Sequence, residues 1–240
     1  MRVRSRFLAV CCLCLLGLAP PTGAQGYRGV GVSGFLDYNL PLLSLRDGWY
    51  TKSVKWGAAL LYSVDSRLTM EFEYHRAKYN DGKIEGRTFL WSVDQKEYAS
   101  PGASADMRIN SAVINFLVRM GRPSGLFQAR RSSLYLLVGA GFFDYDNRVR
   151  GLIYPGQTAT PLNPARLLEP DRDRRTALGV NLGLGLERFL TRVVALDFRA
   201  RHNFILGQLK PREAWRVKEA WPLQTVDLGV AVKFYKSASR

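Results

Sequence analysis

Six acids and five bases recur at alternate positions along this chain: Asp37, Glu71, Glu73, Glu187, Asp197 and Asp227 against Lys55, Arg119, Arg199, Arg201 and Lys233. Each lies on the face opposite a row of aliphatic or aromatic side chains. Buried singly, such charges would be prohibitively costly. Near balance offers two kinds of chemistry: they neutralise one another as a salt-bridge network, or they line a path for ions. The balance favours a structural network that fills an interior; an ion-conducting path stays open beside it.

Histidine chemistry is scarce. Only His75 and His202 exist, and the three cysteines all fall at positions 11, 12 and 14. Two lone histidines without cysteine argue against a zinc site. His75 is placed inward beside Glu73, while alternation turns His202 to the apolar face. No serine nucleophile with a placed base can be assembled. No catalytic residue, metal ligand or cofactor is therefore assigned, and the chain is read as a non-enzyme.

A third group is basic: Arg172, Arg174, Arg175, Lys210, Arg212, Arg216 and Lys218, all in long polar segments. Arginine suits bidentate phosphate contacts. These residues are the candidate contacts to anionic lipid headgroups.

The elements that must hold these groups are strands. In residues 179–204, Leu182, Leu184 and Leu186 alternate with Gly183, Gly185 and Glu187 before a Leu-Thr-Arg turn. After it, Val194, Leu196 and Phe198 alternate with Ala195, Asp197 and Arg199. Period-two alternation predicts strands. This hairpin supplies two, and six more follow at about 28–39, 53–63, 67–79, 105–120, 132–145 and 223–235. A turn of about three residues sets Gly183 and Gly185 opposite Arg201 and Arg199, leaving room for long side chains. The connections sort by length: 64–66, 121–131 and 190–192 are the shorter set, while 40–52, 81–104, 146–174 and 207–222 are long and polar. The segment 146–174 is proline-rich and is expected to lack regular structure. Tyr38, Trp56, Tyr74, Tyr145, Phe189, Phe204, Phe234 and Tyr235 gather near strand ends, as interfacial girdles would.

Sorted loops, a charged inner face and an apolar outer face are the pattern of a transmembrane barrel. In lipid an open sheet edge is untenable, so the sheet must close. The fold class expected is all-β, an eight-stranded antiparallel transmembrane up-and-down β-barrel.

The first residues carry Arg2, Arg4 and Arg6, a thirteen-residue apolar run at 7–19, then Pro20-Pro21 and Thr22-Gly23-Ala24. This reads as a signal peptide over 1–24; the run is short of the ~20 residues a spanning helix needs. Residues 25–240 then form one barrel domain without a cysteine, so neither a disulfide scaffold nor a thiolate site is available to it. The net charge of +15 falls to about +12 without the three leader arginines and biases partners toward anions. Export argues against nucleic acid; lipid A and phospholipid headgroups fit better.

Three stretches carry a family resemblance: Gly183-Leu-Gly-Leu-Glu-Arg-Phe-Leu-Thr-Arg-Val-Val-Ala-Leu-Asp-Phe-Arg, the hairpin WGAALLYSVDSRLTMEFEY at 56–74, and the terminal Leu228-Gly-Val-Ala-Val-Lys-Phe-Tyr. They resemble the small eight-stranded outer-membrane barrels, the family of the OmpA barrel domain, OmpX and OmpW. The resemblance implies an outer-membrane location with both mature termini periplasmic. It also implies outer-membrane lipids and lipopolysaccharide as surroundings, and the barrel assembly machinery as the reader of the last strand. In this chain residues 236–240 follow the terminal aromatic, and no cell-wall-binding domain follows. Lipid A deacylases among such barrels place His and Ser two residues apart; Arg201-His202-Asn203-Phe204 lacks the serine. The expected role is structural or surface interaction by a monomeric barrel with a lumen closed by charge. A narrow channel or small-solute conduit is the alternative.

Overall fold

The computed structural model describes residues 29–80, 82–120, 132–191, 193–210 and 218–236. The expected leader at 1–24, the 121–131 connection, Arg212 and Arg216 lie outside them.

Ten strands form among the described residues: β1 (Gly29–Pro41), β2 (Ser53–Ser63), β3 (Leu68–Tyr79), β4 (Thr88–Leu90), β5 (Glu97–Ala99), β6 (Ser104–Arg119), β7 (Ser132–Arg150), β8 (Asp171–Phe189), β9 (Val194–Ile205) and β10 (Leu223–Tyr235). Eight of them close in the order β1-β10-β9-β8-β7-β6-β3-β2, while β4 and β5 form a separate two-stranded ribbon. Each barrel strand pairs antiparallel with its sequence neighbours, and β1 closes on β10 from Gly31↔Tyr235 to Pro41↔Thr225. The shortest barrel strand has 11 residues, enough to cross a bilayer at the usual tilt.

The pleat turns alternate side chains to opposite faces. Leu182, Leu184, Trp56 and Leu36 point outward and are more than half exposed. Inward neighbours such as Lys55, Glu71, Asp197 and Arg201 are buried. Residues 183 and 185 oppose Arg201 and Arg199 as the hairpin reading expects. The space over Gly185 is filled by the Tyr135 ring, whose Cζ would lie 2.2 Å from an added Cβ.

β7 and β8 run further than the alternation of apolar residues suggests. Their pairing continues from Ser132↔Arg188 to Val149↔Asp171, so the connection expected over 146–174 shortens to 151–170. Above the apolar belt the outward residues are Asp144, Asp146, Arg172 and Arg174, which hold the ladder by cross-strand charge pairs instead of greasy alternation. The 151–170 segment does lack regular structure, apart from one isolated bridge, Ile153↔Leu167. It is not a free linker: Leu152, Ile153 and Leu162 are buried, and its Gln157 carbonyl accepts from Trp91 Nε1 at 2.9 Å.

Three aromatics expected in the girdles face inward instead. Tyr145 and Tyr235 are 1% and 5% exposed, and Phe189 packs on Tyr235 with ring centroids 5.6 Å apart. Their parity along the strand, rather than their place near its end, decides which face they take. Tyr38, Trp56, Tyr74 and Phe234 do point outward and are exposed.

Candidate functional site

The barrel interior is layered. At the long-connection end, Tyr50, Tyr79, Trp91, Met107, Ile109, Phe143, Tyr145 and Leu223 belong to one apolar cluster that runs from the strands into the connections. Helix α1 (Leu43–Gly48) joins it through Leu45. At the short-turn end, Leu61, Ala195 and Tyr235 cluster with Phe189 packed against them. Charges fill the space between.

All eleven acids and bases expected to face inward sit in this middle layer and form one connected network. On β10, Asp227 is a hub: it accepts from Lys55, from Asn39, from Arg201 Nε at 3.1 Å and from Asn203 at 2.7 Å. Lys55 also lies 3.3 Å from Asp37. Arg201 reaches across the lumen to Glu73 on β3 at 2.8 Å and to Asp37 on β1 at 3.5 Å. Its neighbour Arg199 donates to Glu71 at 2.9 Å and Asp197 at 2.6 Å. Lys233 sits 3.0 Å from Asp197 and 3.3 Å from Glu187. Arg119 closes the chain, donating to Glu187 through both Nε and a terminal nitrogen at 3.0 Å.

Neutral groups complete it. Asn115 donates to Glu71 at 3.0 Å, Asn181 to Asn115 at 3.0 Å, Tyr135 to Asp197 at 2.7 Å and Tyr235 to Glu187 at 2.6 Å. Tyr135 and Tyr235 were missed as interior residues, although parity with Gly139 and Lys233 places them there. Glycine matters at one contact above all: a Cβ on Gly229 would lie 1.8 Å from Asp37 Oδ1, so only glycine lets that carboxylate approach the hub.

His75 is inward, its Nδ1 2.6 Å from Glu73 Oε1, between the rings of Phe35 and Phe143. Ser111 is its direct partner across β3 and β6. The Ser111 hydroxyl has no hydrogen-bond partner, so the two side chains are not hydrogen-bonded to each other. His202 faces outward and is hydrogen-bonded to Gln224 at 3.1 Å. A cavity of about 10 Å³ adjoins the network, lined by Asn39, Lys55, His75, Asn203 and Thr225 together with apolar neighbours, about the room that one water needs.

The basic group is placed differently from the loop expected of it. Arg172, Arg174 and Arg175 lie on β8. Arg172 binds Asp146 through two nitrogens at 2.8 Å each, and Arg148 meets the same carboxylate at 2.9 Å. Hydrogen bonds from Arg172, with Arg148 beside it, hold the Asp146 carboxyl well below the usual carboxylate range. Arg174 pairs with Asp144 at 3.2 Å and Arg175 with Asp173 at 2.7 Å. Lys210 and Lys218 are exposed.

A closed eight-stranded meander barrel with an apolar exterior and a charged interior has the architecture of a small outer-membrane β-barrel. No protein-family model and no curated protein matches the chain. Solved structures similar to it are outer-membrane barrels. Neisserial surface protein A is 16% identical, with 85% of this chain and 96% of that one covered at a TM-score of 0.46. The outer membrane protein OprG from Pseudomonas aeruginosa is 10% identical, with 88% and 99% covered at 0.45. The outer membrane protease OmpT from Escherichia coli is 7% identical, with 90% and 99% covered at 0.45. The class rests on the topology and facing of this barrel itself.

Proposed function

We propose that the chain is an outer-membrane barrel that holds its shape and presents its four long connections for surface contacts, with a lumen closed to solutes. The observation that carries this is the continuous ion-pair network held between two apolar layers. An eight-stranded barrel is only just wide enough for side chains to fill it, and the reach of Arg201 and Arg199 across the lumen supports that reading. The exterior supports a lipid surrounding: a belt of exposed leucine, valine and aromatic side chains would be strongly disfavoured in water, at about 25 cal/mol per Å².

In this reading the short turns and both mature termini face the periplasm, and the long connections face outward. The barrel acts as a monomer. Its surroundings are phospholipid and lipopolysaccharide, with exposed Lys210 and Lys218 among the cations offered to their phosphates. The barrel assembly machinery reads β10 during biogenesis. Conductance of the purified barrel in planar bilayers tests the closed lumen. Silence is expected; steady nanosiemens openings would favour the narrow channel or small-solute conduit instead.

A further inference from the structure

The outer face of β3 and β6 carries three cations, Arg76, Lys78 and Arg108, and none has an ion pair or hydrogen bond through its side chain among the described residues. Lys78 and Arg108 are direct cross-strand partners. Like charges so placed repel, and the Arg108 Nε is buried without a hydrogen-bond partner. Acids on adjoining strands do not relieve them. Asp146 lies opposite Arg108 but is engaged by Arg148 and Arg172. Asp144 is engaged by Arg174, and Asp106 lies 3.8 Å from Arg150. On the other side β2 offers only Trp56 and Val54, opposite Arg76 and Lys78. The acids of this surface are thus committed to the β7–β8 arginines, and the β3–β6 cations are left over.

Directly below the cations the surface turns apolar. Tyr74 and Trp56 are each 56% exposed, and Ile114 and Phe116 continue down β6. We propose that Lys78 and Arg108, supported by Arg76, form a binding site for the phosphate of an acylated lipid in the leaflet on the long-connection side, its chains lying on this strip. The site rests on the membrane-spanning reading above. A phosphate oxygen between Lys78 and Arg108 would remove their repulsion and, as the Arg108 side chain turns outward, give its guanidinium an acceptor in the charge-assisted geometry it favours.

The test uses the refolded barrel in detergent micelles and native mass spectrometry. The probes are a diphosphorylated, hexa-acylated glucosamine disaccharide, its dephosphorylated form, and inorganic phosphate. The wild type is compared with K78Q/R108Q and with R172Q/R174Q, after each shows the heat-dependent gel shift of a folded barrel. K78Q/R108Q is expected to weaken binding of the diphosphorylated lipid by roughly 30-fold, at about fivefold per surface cation. R172Q/R174Q should change it less, and the dephosphorylated lipid should not separate the variants. Equal binding by wild type and K78Q/R108Q, or a larger loss in R172Q/R174Q, would overturn the site while the gel shift leaves the barrel standing. Inorganic phosphate that displaces the lipid at comparable concentration would also overturn it, in favour of a soluble-anion site. A wild type with no gel shift would take the barrel reading and the site down together.

Discussion

Arg201→Met offers the sharpest probe of the network. Arg201 is 1% exposed and serves three carboxylates: Glu73 at 2.8 Å, Asp227 at 3.1 Å and Asp37 at 3.5 Å. Methionine keeps much of the volume and removes the charge. Six acids then face four bases where five stood before. Breaking a buried ion pair by deleting one partner costs about 3–5 kcal/mol. Lys55 still reaches Asp37 and Asp227, and Arg199 still reaches Glu73 at 3.4 Å. That residual pairing sets the expected loss at about 3 kcal/mol, the lower end of the buried-pair range. The assay is urea unfolding of the barrel refolded in vesicles, read by tryptophan fluorescence and by gel mobility. A lower midpoint at unchanged slope is the expected result. The double variant R201M/D227N removes one charge of each sign and should recover part of the loss, a coupling of about 1–3 kcal/mol for groups in contact. A single variant that loses less than about 1 kcal/mol would refute the reasoning, because that is the range of solvated pairs and would mean water fills the lumen.

Three further outcomes are expected. Gly229→Ala drives a Cβ to 1.8 Å from Asp37 Oδ1 and 2.9 Å from its Cα, an overpacking cost of about 1–3 kcal/mol; the heat-shifted fraction on a detergent gel should fall, and an unaltered fraction would contradict the tight β1–β10 closure. Leu182→Arg, at a position 64% exposed on the outer face, should cost about 2–4 kcal/mol in bilayers, and folding efficiency in vesicles would miss that loss if the face met water. Asp146 has a depressed folded-state value, so its pairing stabilises the β7–β8 top fully above the unfolded carboxylate value of about 3.9 and is lost only as pH falls through the lower folded value. A carboxyl-carbon titration of Asp146 by NMR should show a midpoint below that of an ordinary aspartate; a midpoint at or above it would remove the Arg172 pairing.

The strands that cross the apolar belt were legible because pleating converts sequence parity into facing. Leu182, Leu184 and Leu186 needed only that rule, and so did Glu187, Asp197 and Arg201. Parity breaks down as a signal above the belt. There the outer face of β7 and both faces of β8 carry polar residues, so Arg172 and Arg174 read as loop when they extend a strand. The upper lumen was also missed: Met107, Ile109 and Phe143 point inward with apolar side chains, so hydrophobic alternation no longer distinguishes the faces. β4 and β5, at three residues each, are too short to show a period. Tyr145, Phe189 and Tyr235 show that an aromatic near a strand end is assigned by parity first. The network's acids and bases were readable one by one; which cation serves which carboxylate depends on reach across the lumen, as from Arg201 on β9 to Glu73 on β3.

If the barrel spans a membrane with a closed lumen, the leucines of β8 face lipid while its alternate residues face a closed interior. The barrel residues contain no cysteine, so single cysteines can be introduced and spin-labelled one at a time from position 180 to 187 in the bilayer-reconstituted protein. Collision rates with oxygen, which partitions into lipid, and with a water-soluble nickel chelate then report what each position touches. A lipid-facing outer row and a closed interior predict oxygen-dominated relaxation at 180, 182, 184 and 186, and little access to either reagent at 181, 183, 185 and 187. Nickel access at the even positions would place the leucines in water, and nickel access at the odd positions would open the lumen; either contradicts the account.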